Sequence, residues 1–170
     1  MFNLNKFGAA HKLGDNINTD YIIPAKRKRD SLDMKEISRY LLEDVDPTLR
    51  SRIKEGDFLV AGWNFGCGSS REVAPRVIIN AGIKAVIAKS FGRIFYRNAI
   101  STGLVLFECD TTDIDESDEL DLDLKTGQLT NITKSRIIKG TPLPTIMLDI
   151  LESGGLVKYL EKEGTISVKR

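Results

Sequence analysis

The 170-residue sequence predicts one α/β domain with a parallel β-α-β core and an added β-hairpin. Two observations predict it. Short apolar runs at Phe58-Leu59-Val60-Ala61, Lys84-Ala85-Val86-Ile87-Ala88 and Leu104-Val105-Leu106-Phe107 are separated by stretches with helical apolar periodicity. That alternation is what right-handed β-α-β crossovers require. Further on, Glu119-Leu120-Asp121-Leu122-Asp123-Leu124 alternates strictly, as a half-buried strand does, and returns through Lys125-Thr126-Gly127-Gln128 to Leu129–Ile132.

Composition narrows the function classes. Hydrophobic residues make up 41% and charged residues 29%, an ordinary balance for a globular chain with a buried core. A net charge of +1 argues against a nucleic-acid or other polyanionic partner. Met1 to Lys12 lacks an apolar leader, and no run reaches the about 18–20 apolar residues of a membrane span. The 2 cysteines, Cys67 and Cys109, make no disulfide framework, so a reducing cytoplasmic setting is expected. One histidine, His11, and two cysteines are too few for a histidine metal site or for a cluster held by about four thiolates. A metal, if the chemistry needs one, must come from another chain.

Phe7 to Leu13 predicts a short strand, with His11 a structural residue in it. Asp15-Asn16-Ile17-Asn18-Thr19-Asp20 is a run of turn formers, in which Asp20 either caps locally or aims a carboxylate into a site. Ile22-Ile23-Pro24 reads as buried and extended. Lys26-Arg27-Lys28-Arg29-Asp30 reads as a charged loop, either solvated or facing an anion. Such a loop at a subunit boundary is expected to settle only on binding. Ser31 or Asp33 can cap a helix over Met34 to Glu43, with Ile37, Leu41, Tyr40 and Val45 as its stripe. After the strand at Phe58, a helix over Val73–Ile79 stops at Asn80-Ala81-Gly82. A second helix is expected over Ser90–Ile100. Its aromatics Phe91, Phe95 and Tyr96 read as core, while Arg93, Arg97 and Asn98 suit either a site or a solvent face. Asp110 to Asp118 reads as an acidic linker, Ile137-Ile138 as a further strand, and Ile146–Leu151 and Leu156–Leu160 as closing helices.

The centre of the chain is Gly62-Trp63-Asn64-Phe65-Gly66-Cys67-Gly68-Ser69-Ser70-Arg71-Glu72, between a strand and a helix. Its glycines permit sharp turns and close approach to a ligand. Ser69 and Ser70 stand where a helix N-cap belongs, so the stretch reads as an anion-binding helix start, with Arg71 as a fork-shaped cation. The nucleophile elbow Gly-x-Ser-x-Gly is absent, no Walker lysine follows, and Gly-x-Gly without a third glycine is a weak dinucleotide signal. Cys67 is either an activated thiol or a small residue in a tight loop. The remaining chemistry is a carboxylate clamp beside a hydroxyl that can remove a proton.

Asn18-Thr19-Asp20 with Ile22-Ile23-Pro24, Asn64-Phe65-Gly66-Cys67-Gly68-Ser69-Ser70-Arg71-Glu72, and Lys89-Ser90-Phe91-Gly92-Arg93-Ile94-Phe95-Tyr96-Arg97-Asn98-Ala99 carry a resemblance. In order and spacing they resemble the small subunits of the isopropylmalate isomerase and homoaconitase family, which are similar to the swivelling last domain of aconitase. The resemblance spans nearly the whole chain. It implies a swivelling β/β/α three-layer domain over residues 1–170, and a separate large subunit bearing a four-iron, four-sulfur cluster. It further implies dehydration and rehydration of a 2-hydroxy acid, in which the partner's cluster acts on the hydroxyl as a Lewis acid.

By position, the resemblance makes Ser69 the catalytic base, Arg71 the carboxylate clamp that supports its alkoxide, and Ser70 a substrate-binding group. Asp20, with Thr19, matches the pair that orients active-site groups, and Thr19 is also expected to bind substrate. The chain departs from the family after Pro24, where a Tyr-Leu loop is replaced by Ala25-Lys26-Arg27-Lys28-Arg29-Asp30. Arg29 falls where the family places a substrate-binding arginine, with Arg27 close enough to compete. The substrate expected first is 3-isopropylmalate, in leucine biosynthesis. Homoaconitate and a 2,3-dimethylmalate-type acid are the alternatives, and outside the class stands a non-catalytic carboxylate-binding module.

Overall fold

Four strands, β1 (Gly8–Lys12), β2 (Phe58–Val60), β3 (Ala85–Ala88) and β4 (Val105–Glu108), run parallel in the computed structural model, which describes residues 7–30 and 33–164. Three antiparallel strands follow: β5 (Glu119–Asp123), β6 (Gln128–Asn131) and β7 (Arg136–Lys139). The sheet order is β4-β3-β2-β1-β5-β6-β7. β1 is the pivot, pairing in parallel with β2 and antiparallel with β5.

The side chains of β2 to β4 divide between two cores, because alternate residues of a strand face opposite sides. Leu59, Val86 and Leu106 join the core under the helices. Phe58, Val60, Ile87, Val105 and Phe107 join a second core with Leu120, Leu122 and Leu129 of β5 and β6. The antiparallel half therefore curls over the far face of the parallel half, giving helix, sheet and sheet layers. A bridge between Cys109 and Gly140 joins the chain beyond β4 to the chain beyond β7, so the sheet's two ends meet and protect their edges.

Between β1 and β2 come α1 (Thr19–Ile22), α2 (Ala25–Asp30), α3 (Met34–Ile37) and α4 (Leu49–Arg52). Longer helices α5 (Val73–Asn80) and α6 (Arg93–Thr102) make the crossovers, and α7 (Thr145–Glu152) and α8 (Leu156–Glu163) close the chain. Among the described residues, no helix is long and apolar enough to cross a membrane.

Four expectations are corrected. Ile22 is helical, not extended, because Asn18 caps α1 by accepting from the Tyr21 N–H. The charged loop after Pro24 is the helix α2, whose first turn is closed by the Arg27 N–H donating to the Pro24 carbonyl at 3.0 Å. The helix expected over Met34 to Glu43 stops after Ile37 in a tighter turn over Ser38–Tyr40. Buried Leu42 then has φ of 57° and donates its N–H to the Ile22 carbonyl at 3.0 Å, so packing overrides helical continuation. The Asp110–Asp118 linker is a packed corner: Ile114 is fully buried and Thr111 donates to the Ala61 carbonyl at 2.8 Å. His11 is buried in β1, its Nε2 2.8 Å from Asp57 Oδ2, a pair that ties β1 to the turn before β2.

Candidate active site

The three sequence motifs meet just beyond the C-terminal ends of β1, β2 and β3, where open parallel sheets place their ligands. Backbone pairing joins them. Asn18 bridges Cys67, the Thr19 N–H donates to the Cys67 carbonyl at 2.9 Å, and the Gly66 N–H donates to the Ile17 carbonyl at 2.7 Å. On the other side, the Phe65 N–H donates to the Ser90 carbonyl at 3.0 Å and the Gly92 N–H donates back to the Phe65 carbonyl at 2.8 Å. Beneath the loop, Phe65 packs edge-on against Phe91 and Phe95, with ring centroids 6.2 and 5.4 Å away. The aromatics are core, as their spacing predicts. Gly66 has φ of +76°, and a Cβ there would lie 2.2 Å from Phe95 Cγ, so the turn needs glycine for both reasons.

This frame gathers Thr19, Asp20, Ser69 and Arg71. Arg71 donates from Nε to Ser69 Oγ at 3.0 Å and from Nη1 to the Ile23 carbonyl at 3.3 Å. Its Nη2 lies 2.5 Å from Asp20 Oδ1. Each guanidinium nitrogen thus has a partner, and the planar fork is held in one orientation. Ser69 and Ser70 are exposed, Arg71 is partly shielded, and Thr19 is only 1% exposed. The Thr19 hydroxyl lies 3.2 Å from the Ser69 carbonyl and 3.3 Å from Ser69 Oγ.

The helix-start reading of the loop is corrected. α5 begins at Val73, and its N-cap position, Glu72, makes no side-chain capping bond. Ser69 and Ser70 precede the helix and cap nothing, so the positive charge beside Ser69 comes from Arg71 rather than from a helix dipole. Thr19, expected to touch substrate, is buried and spends its hydroxyl on Ser69. Arg27, the alternative to Arg29, is engaged within the chain. It donates to both Glu43 oxygens, at 2.8 and 3.0 Å, and its guanidinium stacks 3.9 Å from the Tyr40 ring centre. Arg29 lies in α2, and its side chain falls outside the described residues. Arg93 and Arg97 are exposed on α6. Two further contributors are Asn18, which caps α1 as its residue type suits, and the Ile23 carbonyl, which no side chain announces in the sequence.

Chemically, this is a solvent-exposed hydroxyl whose deprotonated form would sit against the N–H of a partly shielded guanidinium. Among the described residues, no group of three or more His, Cys, Asp or Glu could hold a metal. Cys67 is half-buried in the loop. Burial, with Asp110 adding to it, pushes the Cys109 thiol up to about 12, far from a thiolate ligand. His11, committed to Asp57 in β1, makes no contact with Ser69 that would suit a hydrolase relay.

Comparison with known proteins agrees in sequence and in fold. The profile of the aconitase C-terminal domain matches residues 11–111. The 3-isopropylmalate dehydratase small subunit 2 of Archaeoglobus fulgidus is 49% identical over 95% of this chain and 98% of its own. The isopropylmalate/citramalate isomerase small subunit of Methanocaldococcus jannaschii is 46% identical over 92% of this chain and 94% of its own. A crystal structure of 3-isopropylmalate dehydratase from M. jannaschii superposes with a TM-score of 0.89 at 44% identity, covering 93% of this chain and 94% of that one.

Proposed function

The chain belongs to the aconitase C-terminal domain family, among its 3-isopropylmalate dehydratase small subunits, and on that premise we propose that Ser69 and Arg71 are its half of a shared active site. It is a small subunit of a two-subunit hydro-lyase, and by its relatives' names the pathway is leucine biosynthesis. The swivelling domain spans residues 1–170 as one unit, and the enzyme works in the cytoplasm.

The contact that carries the reading is Arg71 Nε–H on Ser69 Oγ at 3.0 Å. Ser69, as alkoxide, takes the proton from the carbon next to a substrate carboxylate and later returns one. Arg71 lowers the cost of that alkoxide and binds the carboxylate, and Ser70 holds substrate from the rim. Asp20 anchors the far end of the guanidinium. Arg29 binds the substrate from α2. The donor set of this chain does not fit an iron–sulfur cluster, which supports placing the four-iron, four-sulfur cluster on the large subunit. The substrate is a 2-hydroxy acid, 3-isopropylmalate first.

The test is reconstitution with the large subunit. Ser69→Ala should abolish turnover of 3-isopropylmalate while the two subunits still co-purify. Wild-type turnover in that assembled variant would remove Ser69 as the base. Running citramalate, homoaconitate and 2,3-dimethylmalate beside it ranks the substrates. Tight metabolite binding by the isolated chain, with no partner recoverable, would favour a binding module instead.

A further inference from the structure

The proposed chemistry uses Ser69, Ser70, Arg71, Asp20 and Arg29 and leaves the buried Thr19 hydroxyl with no part. Thr19 is buried and tied to the loop through its backbone. Asn18 before it bridges Cys67, and its own N–H is bound to the Cys67 carbonyl at 2.9 Å. Gly68 crosses above it with φ of +105°, and a Cβ on Gly68 would stand in van der Waals contact with Thr19 Oγ1, 3.4 Å away. That crossing brings both oxygens of Ser69 to one hydroxyl, the carbonyl at 3.2 Å and Oγ at 3.3 Å.

A hydroxyl offers one proton and accepts at two lone pairs. While Ser69 is neutral, Arg71 Nε–H donates to Ser69 Oγ, the Ser69 O–H can point to Thr19 Oγ1, and the Thr19 O–H can point to the Ser69 carbonyl. When Ser69 loses its proton, its own donation ends. A turn about the Thr19 Cβ–Oγ1 bond then carries the Thr19 proton from the carbonyl to the alkoxide, with no heavy atom displaced. At 1% exposure Thr19 is itself shut away from water, so its hydroxyl is held to its protein partners, while Ser69 Oγ keeps an open side toward solvent and substrate. A charge-assisted bond in such surroundings is stronger than the same bond in water.

We propose that Thr19 is the second hydrogen-bond donor to the Ser69 alkoxide, opposite Arg71 Nε, a positioning residue that never meets substrate. The proposal rests on the reading of Ser69 as the base. The proton count closes: Ser69 gives its resting proton to the solvent it is open to. The substrate C–H proton then goes to Ser69 Oγ with its electron pair left on carbon, and Thr19 neither gains nor loses a proton.

The experiment uses the reconstituted two-subunit enzyme with Thr19→Val and Thr19→Ser. Valine keeps the shape and removes the donor, so kcat should fall about tenfold to hundredfold with KM within about twofold. The apparent pKa at which kcat/KM rises with pH should move upward, because the alkoxide costs more to form. Serine should restore both kcat and the pH profile. An unshifted profile with normal kcat in Thr19→Val overturns the proposal, as does an equal loss in the valine and serine variants, which would mark Thr19 as packing only. If Thr19→Val fails to assemble, Thr19→Ala against Thr19→Ser makes the same comparison, since that pair differs by the hydroxyl alone. Normal Thr19 variants beside an inactive Ser69→Ala overturn only this proposal. An active Ser69→Ala overturns the base reading beneath it.

Discussion

Arg71 Nη2 lies 2.5 Å from Asp20 Oδ1, on a carboxylate whose side chain is 58% exposed while the guanidinium is only 22% exposed. The pair therefore sits at the boundary between the loop and solvent, with the cation on the inner side. An ion pair so exposed contributes about 0–1 kcal/mol to folding. Its larger effect is geometric, since it fixes the end of a fork whose other end is on Ser69 Oγ.

Asp20→Asn should therefore separate stability from turnover. Unfolding in urea should shift by less than about 1 kcal/mol. In the assembled enzyme, kcat/KM should fall about tenfold or more, because the freed guanidinium no longer holds Ser69 in one orientation. A loss under about twofold would show that Arg71 keeps its place without Asp20.

The two loop glycines should respond differently to alanine. Gly66→Ala meets a positive φ and places Cβ 2.2 Å from Phe95 Cγ, so it should destabilise by about 3 kcal/mol or more. Gly68→Ala also meets a positive φ, but its nearest contact is 3.4 Å, so the cost should be only the backbone's, about 1–2 kcal/mol. Urea denaturation of both variants measures the difference. Equal losses would mean that Phe95 gives way.

The cysteines should separate by reactivity and by pH. Cys109 is buried and its thiol is raised to about 12, so at pH 8 iodoacetamide should label Cys67 while Cys109 stays unmodified in the native protein. A raised thiol also means that the folded state holds its proton longer than the unfolded one. Stability from this group is complete below about pH 8.5, the unfolded value, and is lost as pH climbs toward 12. Cys109→Ala should flatten that alkaline loss. Peptide mass mapping and alkaline melting curves test the two halves.

Arg27 and Glu43 give a matching effect at low pH. The hydrogen bond from Arg27, before any other cause, holds the Glu43 carboxyl below its ordinary 4.5. A depressed acid stabilises the fold above the unfolded value and loses that contribution as pH falls through the folded one. Between about pH 5 and 3 the wild type should lose up to about 1 kcal/mol that Glu43→Gln never had. Acid unfolding curves that stay parallel would leave the pair without measurable effect.

Much of this was legible because it is written locally. The apolar runs at 58–61, 84–88 and 104–107 read as strands buried on both faces, and the alternation in Glu119–Leu124 reads as a half-buried strand. Both readings match the sheet. Gly66 and Gly68 marked a turn: both have a positive φ, and at Gly66 a side chain would also strike Phe95. The errors came where distant packing outvotes a local signal. Leu42 leaves the helix because its N–H is claimed by the Ile22 carbonyl, twenty residues back. Ser69 and Ser70 have the residue type of an N-cap, but Thr19 and Arg71 engage Ser69 before the helix begins.

The Gly66–Glu72 stretch alone determined that a hydroxyl and a cation would stand together in a turn between a strand and a helix. Composition, with one histidine and two cysteines, left the stretch short of the usual ligands for a metal site. Only the tertiary structure decided which groups reach the hydroxyl. Thr19 lies fifty residues from Ser69 along the chain, and Arg71 acquires its orientation from Asp20 and the Ile23 carbonyl, forty-eight residues or more away. The physical reason is that a hydrogen bond works only within about 3.5 Å and near its proper angle. Local propensity cannot set such distances between remote segments. The curl of the sheet and the crossing of the loops at the ends of β1, β2 and β3 set them.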